Sequence, residues 1–324
     1  MVSAARVLAA AVAVALAAMA ARATTGTAAA PPASTAAPAA APGPADPRHA
    51  ALRTRLERDL ADIAGRLDGI AGWHIRDLTT GETIESNAGM VFPAASTIKI
   101  AVLLELLRRG QEGTIPLDRP IAVDPAQRVE GGGIMQTWRT PYPPLSPDAL
   151  AVLMMDDSDN FATNVLIDLV GIDRVGARLA GWGLRDTRLQ RRMLDLEAAR
   201  AGRENLTTPR EIADLMARLR LGELLDAGGT RRALAILAAN DGAPIDRALP
   251  DEVVVAEKEG QLEGVEASVA IVEIPGRPFV VAVLTTYLRD RRAGQEFIGD
   301  VGLSAWRYVG TLAASSEHGR RTGP

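Results

Sequence analysis

Apolar side chains recur at Leu52, Leu56, Leu60, Ile63 and Leu67, with arginine and aspartate between them. This spacing predicts an amphipathic helix over residues 51–67. The period then shortens. Ile70 to Leu78 predicts a strand, Asp77 to Glu82 a turn, and Thr83 to Ser86 a short returning strand. Thr97 to Arg109 is apolar on nearly every side, which predicts a helix buried all round. Arg108 and Arg109 suit its C-terminal dipole, and Gly110 is expected to end it. The middle of the chain, about 115–240, reads as mainly helical, with helices expected at 147–156, 160–170, 173–181, 208–220 and 230–239. Loops are expected at Gly131-Gly132-Gly133 and Pro141-Tyr142-Pro143-Pro144. The β pattern returns at 252–258, 266–274 and 278–286, and a last helix is expected over 294–312. Strands at both ends around a helical middle predict an α+β fold. Its antiparallel sheet, about five strands built from both chain ends, has flanking helices and an inserted all-helical subdomain.

The first residues follow a different pattern. Arg6 precedes an apolar run from Val7 to Ala20, with small-residue cleavage points at Ala18-Met19-Ala20 and Ala21-Arg22-Ala23. Residues 1–23 are therefore expected to be a signal peptide, too short and alanine-rich for a membrane span. Residues 24–47 are Ala, Pro, Thr and Gly with almost no large apolar side chain. They are expected to form a disordered spacer that includes Pro47, with the folded domain running from 48 to 312 and a flexible tail over 313–324. The expected location is periplasmic or secreted.

Composition narrows the chemistry. The net charge of −4 gives no basic face for nucleic acid. There is no cysteine, so thiolate chemistry and Cys-based metal sites are excluded. The three histidines are His49 in the spacer region, His74 in a strand and His318 in the tail. A Ser-His-Asp triad or a His-rich metal site has little to draw on. Lysine is nearly absent: only Lys99 and Lys258, against 34 arginines. A lysine can lose its proton on burial and act as a base, which an arginine cannot do. Lys99 lies three residues after Ser96, one helical turn away on the same face.

Three segments stand in order: Ser96-Thr97-Ile98-Lys99, Ser158-Asp159-Asn160 and Lys258-Glu259-Gly260. Taken alone, Ser158 and Asn160 read as helix N-caps, and Lys258 as an exposed charge at a strand end. Together they resemble the S-x-x-K, S-D-N and K-[ST]-G signature of the class A β-lactamases and the penicillin-binding-protein superfamily. Phe92 to Lys99, Asp157 to Asn164 and Thr207-Thr208-Pro209 extend the resemblance over nearly the whole folded part.

The resemblance implies Ser96 as nucleophile and Lys99 as its base. It implies Ser158 as a proton relay to the leaving nitrogen and Lys258 as a source of positive potential. Asn160, Glu259, Gly260 and Gln261 are implied to bind substrate, with the Ser96 and Gln261 backbone N–H groups as the oxyanion hole. No cofactor or metal is implied. The implied partner is a small-molecule amide or ester, a β-lactam or peptidoglycan-related compound, and a monomer is expected.

The pattern breaks in two places. The glutamate that activates the deacylating water in class A enzymes falls on Arg192 or Met193, and only a rearranged loop would bring in Asp195 or Glu197. Glu259 replaces the Ser or Thr that binds a substrate carboxylate. With Glu263 and Glu266, and Ala267 where many class A enzymes have an arginine, that corner reads as acidic. Glu259 is expected to ion-pair with Lys258. Two alternatives follow: a peptidase, esterase or penicillin-binding-protein-like enzyme on the same fold, and a non-catalytic envelope-binding module.

Overall fold

The computed structural model describes residues 46–240, 242–316 and 318–322; the expected leader and all of the spacer up to residue 45 lie outside them. Helix α1 spans Pro47–Ala64, starting earlier than its apolar stripe. Asp46 caps it by accepting the Arg48 N–H, and Pro47 suits the first turn, so the spacer ends before Pro47. Gly65 closes the helix, leaving Leu67 beyond it. His49 is therefore helical. Its Nε2 lies 2.7 Å from the Tyr308 hydroxyl and 3.1 Å from Glu82 Oε2.

Strands β1 (Ile70–Asp77) and β2 (Thr83–Ser86) form the first hairpin. Strands β5 (Val255–Leu262), β6 (Val265–Val272) and β7 (Phe279–Thr286) form the meander that completes the sheet. The order is β2-β1-β7-β6-β5 with every neighbour antiparallel. A second, two-stranded ladder pairs β3 (Phe92–Pro93) with β4 (Leu206–Thr207). The α+β architecture is as expected, but β5 starts and ends later than its apolar run. Val253 N–H bonds Pro250 O in a turn, while pairing with β6 carries the strand on through Gly260, Gln261 and Leu262. Glycine weakens a strand, so residue propensity cannot reveal that continuation. Lys258 thus sits mid-strand and is wholly buried, not an exposed end.

Alternation on β6 and β7 feeds two cores. Ala270, Val272, Val281 and Val283 join α1 and the last helix, α9 (Arg291–Ala313). Val269, Ile271, Val280 and Ala282 join the helices of the middle. Those are α2 (Lys99–Gln111), α3 (Pro147–Asp156), α4 (Asn160–Val170), α5 (Ile172–Gly181), α6 (Leu196–Arg200), α7 (Pro209–Arg220) and α8 (Ala227–Leu237). Helix α2 runs through its first turns fully buried, Lys99 to Leu107, as its uniform apolarity predicts.

Gly110 does not end α2. It lies inside the helix, where a side chain would strike Leu117 at 2.5 Å. Its role is close approach to the next segment. The segment expected as a flexible tail also folds back: Ser315 bridges Arg321, and Arg48 Nη1 donates to His318 O at 2.8 Å.

Candidate active site

Ser96 sits in a 3-10 turn, Ala95–Ile98, that runs directly into α2. Ala95 takes φ +48° to make the turn, a left-handed conformation that costs a residue with a side chain. Ser158 and Leu194 are also left-handed, at φ +48° and +61°. All three line one cleft of about 440 Å³ together with Ser96. Backbone strain is therefore concentrated around the nucleophile candidate, in keeping with its use at functional sites.

Lys99 lies beneath the cleft and is wholly buried. Its Nζ is 2.6 Å from Ser158 O, 3.0 Å from Ser158 Oγ and 3.0 Å from Asn160 Oδ1. Burial, reinforced by the Lys258 charge, holds its pKa well below the usual lysine range. An ammonium would donate all three bonds. A neutral amine donates two and accepts the third from the Ser158 hydroxyl.

The S-D-N segment divides its work. Asp159 is the N-cap of α4: Oδ1 accepts the Ala162 N–H at 2.8 Å, and Oδ2 takes the Met135 N–H at 2.7 Å. Ser158 and Asn160 are thus not the caps, and both face Lys99. Asn160 Nδ2 also donates to Gly131 O at 2.9 Å, joining the glycine loop to the cleft wall.

On the opposite wall, Lys258 Nζ donates to Glu259 Oε1 at 2.7 Å. Burial lowers the Lys258 pKa against the pull of Glu259. Burial alone would raise the Glu259 carboxyl, but Lys258 and the Asn240 amide hold it below the usual carboxylate range. The expected ion pair is formed, and it offsets part of the Lys258 charge. Gly260 brings β5 against the nucleophile turn. A Cβ there would lie 2.7 Å from Ser96 N and 3.0 Å from Thr97 N. Gln261, next along the strand, lines the cleft as well.

The loop between α5 and α7 closes the cleft. Its neck is a bridge between Arg188 and Leu206, and the Asn205 amide binds the backbone of Gln190 and Arg191. Asn164 of α4 accepts the Met193 N–H at 2.8 Å and donates to Met193 O at 3.3 Å. Position 193 is pinned at the cleft by both backbone groups. Arg192 turns away to Asp168 Oδ1, 2.5 Å off. Asp195 caps α6, and neither it nor Glu197 lines the cleft in this arrangement of the loop.

The acidic corner is corrected too. Glu263 is exposed in the β5–β6 turn, whereas buried Glu266 faces Arg291 at 3.1 Å. Arg247 and Arg291 line the cleft beside Glu266. Sequence reasoning missed both arginines, since each comes from a segment remote from the motifs. Asn164, by contrast, ended the very string Asp157 to Asn164 that carried the resemblance.

Residues 55–309 match the profile of the beta-lactamase enzyme family. The chain belongs to that family. A beta-lactamase of Streptomyces albus G is 30% identical over 263 residues, covering 77% of this chain and 81% of that one. A beta-lactamase structure from Sphaerobacter thermophilus aligns at TM-score 0.73 and 30% identity, covering 79% of this chain and 97% of that one. A PBP-A mutant, solved as an acyl-enzyme complex with penicillin G, aligns at TM-score 0.72 and 27% identity over 78% and 96% of the two chains. This beta-lactamase family member is thus a serine hydrolase of the class A and penicillin-binding-protein type, as the motifs implied.

Proposed function

We propose that the protein opens β-lactams and related amides or esters through an acyl-Ser96 intermediate, with acylation intact and deacylation slow. The observation that carries this reading is the buried Lys99 amine, hydrogen-bonded to Ser158 and Asn160 one turn below Ser96. Neutral Lys99 takes the Ser96 hydroxyl proton as Oγ attacks the carbonyl carbon. The Ser96 and Gln261 N–H groups hold the oxyanion. Ser158 passes the proton to the leaving nitrogen as the C–N bond breaks. Lys258 keeps the local potential positive, offset by Glu259.

Deacylation needs a water and a base. Position 193 lines the cleft, and a methionine there accepts no proton. This favours a long-lived adduct, the behaviour of a penicillin-binding protein more than of an efficient β-lactamase. A binding module without catalysis fits poorly. Two wholly buried lysines cost several kcal/mol that a mere scaffold would gain by losing them. An exported monomer completes the reading. Among the described residues no helix is long and apolar enough to cross a membrane.

Intact-mass measurement over time after adding penicillin G tests it. The expected result is one added penicillin on the wild type, decaying slowly, and none on Ser96→Ala. Met193→Glu should shorten the adduct's life by roughly 10²-fold or more, the usual worth of a positioned base. Rapid nitrocefin turnover by the wild type would overturn slow deacylation. An adduct on Ser96→Ala would remove Ser96 from the mechanism.

A further inference from the structure

The Lys258–Glu259 ion pair has an orientation. The Lys258 side chain is 0% exposed and that of Glu259 is 31% exposed. The ammonium lies within the wall, and the carboxylate lines the cleft. A molecule entering the cleft therefore meets the negative end of the pair first. Both carboxylate oxygens are held by the protein. Oε1 accepts from Lys258 Nζ at 2.7 Å, and Oε2 accepts from the Asn240 amide. Asn240 is itself buried, and its Nδ2 also reaches Glu257 O at 3.3 Å, so the carboxylate has a fixed seat. Lys258 and Asn240 hold its pKa below the usual carboxylate range, against burial. An ionised carboxylate has about four lone-pair sites and no proton to give, so two partners leave room for further donors.

The seat adjoins the nucleophile. Glu259 precedes Gly260, and a Cβ on Gly260 would stand 2.7 Å from Ser96 N. A hydroxyl at position 259 would donate to a carboxylate, whereas a carboxylate there repels one and accepts an N–H or attracts a cation. The arginines of the cleft are engaged elsewhere: Arg291 faces Glu266 at 3.1 Å, and Arg247 reaches Gln295 at 3.5 Å. We propose that Glu259 sets the specificity of this cleft, selecting acyl donors whose leaving group presents an amide N–H or a positive charge beside Gly260, as an amidated or amine-bearing peptide does, over those that present a carboxylate. The inference rests on the acyl-transfer reading above. Ser96 Oγ forms a bond to the carbonyl carbon, the bond to the leaving group breaks, and that group departs with the serine's proton by way of Lys99 and Ser158.

Three N-benzoylglycyl thioesters test it, with thiocholine, 3-mercaptopropionamide or 3-mercaptopropionate as leaving group. The three carry a cation, a neutral amide and a carboxylate at the same distance from sulfur. The chain has no cysteine, so released thiol is read without background. Here kcat/KM reports acylation. The expected result is release of 3-mercaptopropionate at least roughly tenfold slower than of thiocholine, with the amide between them or level with thiocholine. Glu259→Thr should shrink the thiocholine-to-mercaptopropionate ratio by at least roughly tenfold, and Glu259→Gln, which keeps the side-chain shape, should shrink it as well. Fastest release of 3-mercaptopropionate by the wild type would overturn the proposal. So would an unchanged ratio in both variants, or an equal loss on all three donors in both, the mark of a merely structural role. Penicillin G carries a carboxylate and labels slowly on this reading, so its labelling of wild-type Ser96 is followed to completion. Labelling without the donor preference sinks the role of Glu259 alone, while no acylation by any donor or by penicillin sinks the acyl-transfer reading and the selection with it.

Discussion

Lys99 is valuable because it is the wrong residue to bury. Desolvation and the Lys258 charge hold its pKa well below the usual lysine range, and the hydrogen bonds to Ser158 and Asn160 fix the direction of the amine. Lys99→Arg keeps the charge and cannot lose it. We expect penicillin acylation to fall by roughly 10²- to 10⁴-fold, measured by single-turnover mass labelling. The wild-type acylation rate should drop as pH falls and Lys99 takes up its proton, with that limb well below the usual lysine range; a limb near the ordinary value would mean that Lys99 is not the base. Ser96 and Lys99 were legible as a pair because three residues are about one helical turn. Met193 was not separable from Arg192, because loop register carries no period. The amide of Asn164 decides between them, a side chain reaching across from another element.

At the scale of elements, the cleft is the seam where β5 meets the nucleophile turn. Gly260 sets the width of that seam. Gly260→Ala places a methyl group 2.7 Å from a backbone nitrogen, and either β5 or the turn has to move. The overpacking cost is about 1–3 kcal/mol. A displacement of about 1 Å at the oxyanion site is enough for roughly 10²-fold slower acylation. Thermal unfolding and adduct formation, measured together, check both parts; an unmoved acylation rate would mean that the seam is looser than drawn. The helices of the middle were readable from period alone, whereas the ends of β5 were not. Its true partner is β6, and pairing rather than propensity carries it past Lys258.

For the molecule as a whole, stability has a pH signature in Glu257. Burial raises its pKa from 4.5 to about 7, despite the Ile245 and Asp246 N–H groups and the Ser268 hydroxyl. Between those values the folded chain binds more protons than the unfolded one. This contribution is therefore full below pH 4.5 and is lost as pH rises through about 7. Its size is roughly 3 kcal/mol. Glu257→Gln should flatten the fall in urea-unfolding stability between pH 5 and pH 8, and an unchanged fall would assign the slope to other groups. The α+β class could be read from strands at both ends of the chain, but the acidic corner was misread, because sequence does not say that Arg291 meets Glu266 or that Arg247 lines the same cleft. The same topology has a temporal side. Ile70 pairs with Thr286 across most of the domain, and β7 lies at the centre of the sheet although it is the last strand made. During synthesis β1, paired only with β2, waits without its second partner until nearly the whole chain has been translated. Contacts this distant in sequence form slowly. A chain cut short before Phe279 keeps both hairpin halves and loses the strand that joins them.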